Sequence, residues 1–191
     1  MIRHDMLKRD YAFLLISLFL IAWMVLSSVF DSRIDSEYAK TLRARPGYEI
    51  RAYTNNTFVG DHIDFNSVLW WKEIEKVKQN IRSYNIEILD LPYFIKQNNS
   101  GEYQVFFIAS DSKSLKSKNE FMVINAPGNN AFKRFTWYPA QKTIAKNKDK
   151  LIQSLNDNEV LYNKGDVWIE VKNHYLTIPF MMNNGVFIEL E

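Results

Sequence analysis

IEILDLPYFIKQNNSGEYQVFFIA, residues 86–109, is the stretch that decides the fold class. Two extended apolar runs flank Asn98-Asn99-Ser100-Gly101, which is typical of a tight hairpin turn. The second run, Tyr103–Ala109, is apolar at both odd and even positions and therefore predicts a central strand that is covered on both faces. Pro92 has no backbone N–H to donate, so the first run is predicted to be bent or to lie at a sheet edge. The stretch predicts antiparallel pairing.

Further short extended segments lie on both sides of this hairpin. They are Tyr48–Tyr53, Phe121–Ala126, Phe132–Tyr138, Val167–Val171, Tyr175–Phe180 and Val186–Leu190. The segment Thr54–Asp61 is predicted to be a polar loop. Strands and helices do not alternate regularly, so a parallel doubly wound sheet is not expected. The predicted class is α+β, a mostly antiparallel sheet with two helices on one side. The order strand, helix, hairpin recurs weakly in both halves of the sequence, so internal duplication is an alternative.

The two helices of this domain are predicted from apolar residues at helical spacing. In the first helix these residues are Trp70, Trp71, Ile74, Val77, Ile81 and Tyr84, and in the second they are Ile144, Leu151, Ile152 and Leu155. Asn66 or Ser67 is the predicted N-cap of the first helix, and Asn85 its left-handed C-terminal residue. Thr143 is the predicted N-cap of the second.

An uncharged stretch, YAFLLISLFLIAWMVLSSVF, occupies residues 11–30. As a helix it would be roughly 30 Å long, which is the thickness of the hydrocarbon core of a bilayer. We therefore predict an N-terminal transmembrane helix that anchors the chain through Tyr11, Leu14, Leu18, Ile21, Trp23, Leu26 and Phe30. The alternatives are a cleaved signal peptide, for which the cleavage site is poor, and a buried core helix. Basic residues precede the stretch, so the N-terminus is expected in the cytoplasm and the domain in the periplasm of a bacterial inner (cytoplasmic) membrane.

The segment after the anchor, residues 31–45, contains Ile34, Tyr38 and Leu42 at a spacing of four, and Pro46-Gly47 then ends the pattern. We predict a helical stalk whose stripe either packs on its own domain or forms a parallel self-association surface in a homo-oligomer. The predicted organisation is a cytoplasmic tail (1–10), a transmembrane helix (11–30), a helical stalk or linker (31–46) and an extracytoplasmic α+β domain (47–191).

Composition excludes several classes of function. The chain has 24 basic and 22 acidic residues, so no nucleic acid is expected as a partner. It has no cysteine, which excludes disulfides and thiolate chemistry. No nucleophile elbow, phosphate loop or dinucleotide fingerprint is present. The chain is therefore predicted not to be an enzyme, with no catalytic residues, cofactor or metal.

Two polar features have alternative interpretations. Asp61-His62-Ile63-Asp64 offers an imidazole and two carboxylates to a metal, but loop and capping roles account for the same residues. Lysines cluster at Lys113, Lys116 and Lys118 and again at Lys142, Lys146, Lys148 and Lys150. These clusters indicate either a solvated face or contact with anionic lipid headgroups or an acidic partner.

An aromatic group is the candidate interaction surface: Trp70, Trp71, Trp137, Tyr138 and Trp168. These side chains either fill the core or form a ligand or partner surface. The predicted function is a membrane-anchored accessory or scaffold protein that binds membrane lipid and another envelope protein in a secretion, conjugation, pilus or signalling assembly. The alternative is a ligand-sensing domain, which a cavity of about 300 Å³ or more lined by Trp137, Trp168 or Phe107 would favour over a flat or edge-exposed surface.

Overall fold

The structure is a computed structural model, and it describes residues 11, 13–23, 25, 38–53, 56–65, 69–110, 120–173, 177 and 182–191. Its helices are α1 (13–23, with residues 11 and 25 also helical), α2 (Trp70–Ser83) and α3 (Gln141–Asp157). Its strands are β1 (Lys40–Arg45), β2 (Tyr48–Ala52), β3 (Thr57–Ile63), β4 (Ile88–Gln97), β5 (Tyr103–Ala109), β6 (Met122–Asn125), β7 (Asn129–Phe135), β8 (Val167–Val171) and β9 (Asn184–Glu189).

The strands form a single nine-stranded sheet in the order β1-β2-β7-β9-β8-β4-β5-β3-β6. Every neighbouring pair is antiparallel. The prediction of an α+β fold with a mostly antiparallel sheet is confirmed, and β5 is a central strand as its sequence predicts.

Alternate side chains of the central strands form two separate clusters, one on each face of the sheet. Val105 and Ile169 belong to the cluster that also contains Ile81 of α2 and Leu155 of α3, so both helices pack on the same face. The opposite face carries an aromatic cluster made of Phe58, Phe94, Phe106, Phe132, Trp168 and Phe187 with Tyr53. Both faces of β5 are therefore buried, which explains its continuous apolar sequence.

The two halves of the sheet share one topology. β3-α2-β4-β5 and β7-α3-β8-β9 have the same order of elements along the chain. In each half the first strand lies outermost, the third lies in the middle and the second meets the other half, as β4 meets β8. The order strand, helix, hairpin that recurs in the sequence therefore corresponds to a repeated arrangement in the fold.

The structure tests two of the predicted helix ends. Asn85 has φ 57°, which confirms the predicted left-handed residue after α2. Leu69 occupies the position before Trp70 where α2 begins, and the predicted caps at residues 66 and 67 lie outside the described residues. α3 begins at Gln141 after Ala140, so the prediction that Thr143 caps it is wrong.

The predicted loop at Thr54–Asp61 is wrong, because Thr57–Ile63 forms β3 between β5 and β6. Phe58 and Val59 are fully buried, one on each face of the sheet. Backbone pairing on both sides stabilises this strand despite the polar residues around it.

Pro92 lies in β4, which is a central strand, so the edge position is excluded as the explanation and the predicted alternative of a bend applies. The expected bend is present, since the register with β5 shifts between Ile88 and Tyr93. The shift removes the need for a ladder hydrogen bond from residue 92.

The helical stalk is wrong for Lys40–Arg45, which form the edge strand β1. Pro46 and Gly47 turn the chain into β2, and Gly47 has φ 89°. Leu42 is therefore on a strand, 50% exposed, and cannot share a helical face with Tyr38. The third residue of the predicted stripe, Ile34, lies outside the described residues.

The N-terminal helix α1 exposes most of its apolar side chains, for example 40% of Trp23 and 65% of Leu15. Among the residues that the structure describes, no helix is both long and apolar enough to cross a membrane. Residues 12, 24 and 26–30 of the predicted span, which include Leu26 and Phe30, lie outside the described part of the chain. The same is true of nearly all of the predicted strand at 175–180 and of the lysines at 113, 116 and 118.

Candidate functional site

A cleft of about 390 Å³ separates α2 from the first half of β4. We call it the α2 cleft, and its lining residues are Trp71, Ile74, Glu75, Lys78, Asp90, Leu91 and Tyr93. Its position follows from the distortion of β4: pairing with β8 runs only from Tyr93 to Gln97, and the register with β5 shifts before Tyr93. The segment around Pro92 leaves the ladder beside α2 and makes room for the cleft.

Apolar groups line much of the α2 cleft. Ile74 is 2% exposed and belongs to the core, while Trp71 and Leu91 are half-buried. Tyr93 is buried, and burial, together with the charge of Glu75, raises the pKa of its phenol above the ordinary value. The phenol is therefore neutral throughout the physiological range, and these four side chains make a surface suited to an aromatic or aliphatic group.

The rim of the cleft is a charged network centred on Lys78, whose side chain is only 9% exposed. Its Nζ lies 2.8 Å from Glu75 Oε1 and 3.1 Å from Asp90 Oδ1. The same Nζ lies 5.8 Å from the centre of the Phe107 ring, within cation–π range. A buried ammonium with two carboxylate partners is satisfied electrostatically, so its position is well defined.

Asp90 links this network to the end of α2. Arg82 Nη2 lies 3.1 Å from Asp90 Oδ1, on the same oxygen that Lys78 contacts. Partial burial raises the pKa of Asp90, but hydrogen bonds and charge from Lys78 and Arg82 outweigh it and lower the pKa below its usual value. The carboxylate is ionised at neutral pH and provides an acceptor at the solvent-facing side of the cleft.

The structure does not bring the predicted aromatic surface together. Trp71 lines the α2 cleft, whereas Trp70 packs on Phe65 with ring centres 5.2 Å apart. Trp168 is 4% exposed on the opposite face of the sheet, stacked on Phe187 at 5.8 Å. Trp168 is therefore a core residue and does not form part of an exposed surface.

Trp137 and Tyr138 lie beyond the end of β7, which stops at Phe135. Trp137 is 53% exposed and lines a second cleft at the N-terminal half of α3, while Tyr138 is half-buried. The predicted strand Phe132–Tyr138 therefore does not extend to these two residues.

The sequence did not indicate the charged residues of the α2 cleft, although one signal was available. Lys78 falls within the buried stripe Ile74, Val77 and Ile81 of α2. A lysine inside an apolar stripe needs a partner for its ammonium group and thus points to a carboxylate nearby. The partner Asp90 comes from β4, and no sequence pattern indicates that pairing.

The metal interpretation of His62 finds no support among the residues that the structure describes, where no three metal-binding side chains lie close enough together to hold an ion. His62 lies on β3 opposite Gln104 of β5. Its backbone N–H donates to Asp61 Oδ1 at 2.7 Å, which gives this carboxylate a local structural role.

No family model and no curated protein matches the sequence. Solved structures are similar in fold: the crystal structure of a hydrolase from Listeria innocua has a TM-score of 0.53 at 8% identity, and the match covers 85% of this chain and 98% of that one. An uncharacterized conserved protein from the same organism has a TM-score of 0.48 at 6% identity, with 80% and 92% covered. A further hydrolase from Listeria innocua has a TM-score of 0.46 at 7% identity, with 71% and 87% covered. At 8% identity, the similarity to the first of these structures shows the fold alone.

Proposed function

We propose that this chain is a membrane-anchored ligand-binding domain, with the α2 cleft as the site for a small, largely apolar molecule. The observation that carries the proposal is the cleft itself: about 390 Å³, an apolar wall formed by Trp71, Leu91 and Tyr93, and a charged rim formed by Glu75 and Asp90. Small-molecule sites typically have volumes of about 300–1,000 Å³ and combine an apolar lining with a few fixed polar groups. The ligand is an aromatic or aliphatic body with one group that hydrogen-bonds at the rim.

The β1 edge of the sheet gives less support to the scaffold role, in which an envelope partner adds a strand. β1 is exposed along its whole length and carries Lys40, Arg43 and Arg45. Its register with β2 shifts between Thr41 and Arg43. Charged side chains and a bulge are features that disfavour pairing of an edge strand with another chain. Partner binding remains the alternative, through surfaces other than this edge.

The exposed apolar helix α1 supports the membrane part of the proposal. Most of its large side chains, such as Phe13, Leu18 and Phe19, are more than half exposed. A helix that is apolar all round requires a protein interior or a membrane to cover it. We propose the bacterial inner membrane, with the domain on the periplasmic side.

A hydrolase is the second candidate for the same cleft. The observation that favours it is a pair of carboxylates, Glu75 and Asp90, on one buried ammonium, Lys78. Two carboxylates beside one ammonium group can support acid–base chemistry. One protein that is similar in fold is a hydrolase, but that activity belongs to that protein. If the ligand is recovered unchanged after incubation, the cleft binds it without reaction. If the wild type forms a hydrolysis product and Glu75→Gln does not, the chain is a hydrolase.

Tryptophan resonances provide a site-resolved test, because the five tryptophans lie in different surroundings. The full chain, labelled with 5-fluorotryptophan in dodecyl maltoside, is titrated with indole, 2-naphthol and n-octanol and followed by ¹⁹F NMR. We expect the Trp71 resonance to shift saturably with at least one probe while the buried Trp168 resonance stays in place. If only Trp23 responds, or if all shifts grow without saturation, the probes are partitioning into detergent and the proposal fails.

A further inference from the structure

A second cleft, of about 730 Å³, lies between the N-terminal half of α3 and the end of β7. We call it the α3 cleft. Its lining residues are Arg134, Phe135, Thr136, Trp137, Lys142, Thr143, Lys146, Asn147, Lys150 and Asn183. It shares no lining residue with the α2 cleft and contains no carboxylate.

Three lysines on one side of α3 give this cleft its charge. Lys142, Lys146 and Lys150 are spaced by four residues, which places them in one row along the helix. All three are exposed, and no ion pair joins any of them to another side chain in the described part of the protein. The nearby acid on the helix, Asp149, lines a different depression together with Lys148.

Arg134 contributes less to this charge. Side chains alternate along β7, and the ring of Phe132, two residues earlier, lies in the cluster on the face opposite α3. Arg134 Nε lies 3.3 Å from Glu49 Oε1, so its charge is already paired. The three lysines are therefore the source of the positive potential in the α3 cleft.

The potential extends to a neighbouring cation. Lys133 Nζ donates to the carbonyl oxygen of Gly47 at 2.8 Å. Burial and, after it, the charge of Lys150 lower the pKa of Lys133 below the ordinary value. Lys142 also lies in the first turn of α3, which lacks an acidic residue, and a cation there opposes the helix dipole. The row of lysines is thus unfavourable for the isolated domain, and a bound anion would relieve the repulsion.

Trp137 adds an apolar wall at the mouth of the α3 cleft. Its backbone has φ 89°, a conformation that L-residues rarely adopt. The fully buried Asn184 holds it there, because Asn184 Nδ2 donates to the carbonyl oxygen of Trp137 at 2.8 Å. Strained residues that the surrounding structure holds in place occur frequently at ligand sites. The indole ring remains 53% exposed beside the lysines.

We propose that the α3 cleft binds a phosphate-bearing anion whose apolar part contacts Trp137, with the phosphate held by Lys142, Lys146 and Lys150. A phosphate provides the negative charge that pairs with the three lysines, and the indole ring packs against the apolar part of the same ligand. Two sources share this chemistry: the headgroup of an anionic phospholipid, and a soluble organophosphate. The volume of about 730 Å³ accommodates either.

The test uses the full chain in dodecyl maltoside and isothermal titration calorimetry with three probes: dihexanoylphosphatidylglycerol, dihexanoylphosphatidylcholine and glycerol 3-phosphate. The variant K142Q/K146Q/K150Q is compared with K72Q/K76Q/K148Q, which removes the same charge from three lysines that do not line the α3 cleft. For whichever anionic probe binds the wild type, we expect the affinity of the first variant to be at least tenfold lower than that of the wild type. The second variant should bind like the wild type. Binding that falls equally in both variants, or no binding of either anionic probe to the wild type, overturns the proposal.

The choice of probe separates the two sources. Phosphatidylglycerol binding well above that of glycerol 3-phosphate indicates the lipid headgroup, and the reverse order indicates a soluble ligand. Trp137→Gly, which suits the positive φ, should weaken phosphatidylglycerol binding and leave glycerol 3-phosphate binding intact. Equal affinities for phosphatidylcholine and phosphatidylglycerol would show that the cleft does not distinguish a zwitterionic from an anionic headgroup and would contradict the proposal. Variants of the α2 cleft should leave all three affinities unchanged, so the two clefts are tested independently.

Discussion

The ring of Phe132 shows how closely single residues fit on the face of the sheet opposite the helices. The guanidinium carbon of Arg51 lies 3.7 Å from its ring centre, and Gly185 of β9 lies beneath the ring. A methyl group at position 185 would overlap the ring atoms of Phe132. The absence of a side chain at 185 is therefore a packing requirement.

Gly185→Ala should destabilise the domain by about 1–3 kcal/mol, the usual cost of overfilling a packed core. Urea unfolding of the full chain in detergent, followed by circular dichroism, measures this loss. Gly128→Ala is the matched control, because a methyl group there meets open space and φ is not positive. Equal free energies of unfolding for the two variants would contradict the packing argument.

Residue-level signals in the sequence were informative where the cause was local. The left-handed conformation of Asn85 and the turn at Asn98–Gly101 depend on the residues themselves and were predicted. The fully buried Arg51, Glu170 and Lys172 were not, since burial of a charge depends on partners from other strands. The pairing of Lys78 with Asp90, which defines the rim of the α2 cleft, was missed for the same reason.

At the scale of elements, Glu49 connects three neighbouring strands. It accepts hydrogen bonds from Thr41 on β1 at 3.4 Å, from Arg51 within β2 at 2.9 Å and from Arg134 on β7 at 3.3 Å. Partial burial raises the pKa of Glu49, but Arg51 and Arg134 together lower it below the ordinary value of 4.5. A carboxyl whose pKa is lowered on folding stabilises the folded state above its unfolded pKa.

Glu49→Gln should therefore be less stable than the wild type at pH 7, and the difference should shrink as the pH falls below 4.5 and Glu49 takes up a proton. Urea unfolding at a series of pH values measures the difference. Glu87→Gln, at an exposed position, is the control and should follow the wild type throughout. A difference that stays constant down to acidic pH would mean that Glu49 acts through its shape and not its charge.

The sequence predicted most elements but not all of their positions in the sheet. Periodicity predicted α2, α3, β5 and β8, because their apolar patterns reflect the faces they bury. β1 was mistaken for a helix because an edge strand exposed along its length has no alternating pattern to identify it. β3 was mistaken for a loop because its core contacts come from few apolar residues, mainly Phe58 and Val59, and its two partner strands come later in the chain.

At the scale of the whole molecule, the repeated β-α-β-β topology explains where the clefts form. Each helix lies across its own half of one sheet, and each cleft opens beside one helix. The halves differ in charge: the α2 cleft has paired charges at its rim, whereas the α3 cleft is cationic. The sequence showed the lysine cluster on α3 but could not show that three of these lysines face a cleft with Trp137.

The proposed anchor makes a prediction at this scale. Leu18→Arg together with Ile21→Arg should release the full chain from membranes, because each charge at the centre of a membrane helix costs about 2.5–3.5 kcal/mol. Carbonate washing of vesicles, followed by detection in pellet and supernatant, measures the release. The apolar double variant L18M/I21L should stay in the pellet, and retention of the double arginine variant would argue against a membrane anchor.

Two glutamates on α2 allow a matched test of ligand binding in the α2 cleft. Glu75 lines the cleft and Glu73 does not, yet each pairs with the lysine three residues later. The most direct measurement is the dissociation constant of whichever probe shifts Trp71, determined by ¹⁹F NMR for the wild type, Glu75→Phe and Glu73→Phe. A phenyl ring at 75 should fill the cleft and weaken binding at least tenfold, while the ring at 73 should leave the constant unchanged. Equal constants for all three proteins would place the binding elsewhere and contradict the account.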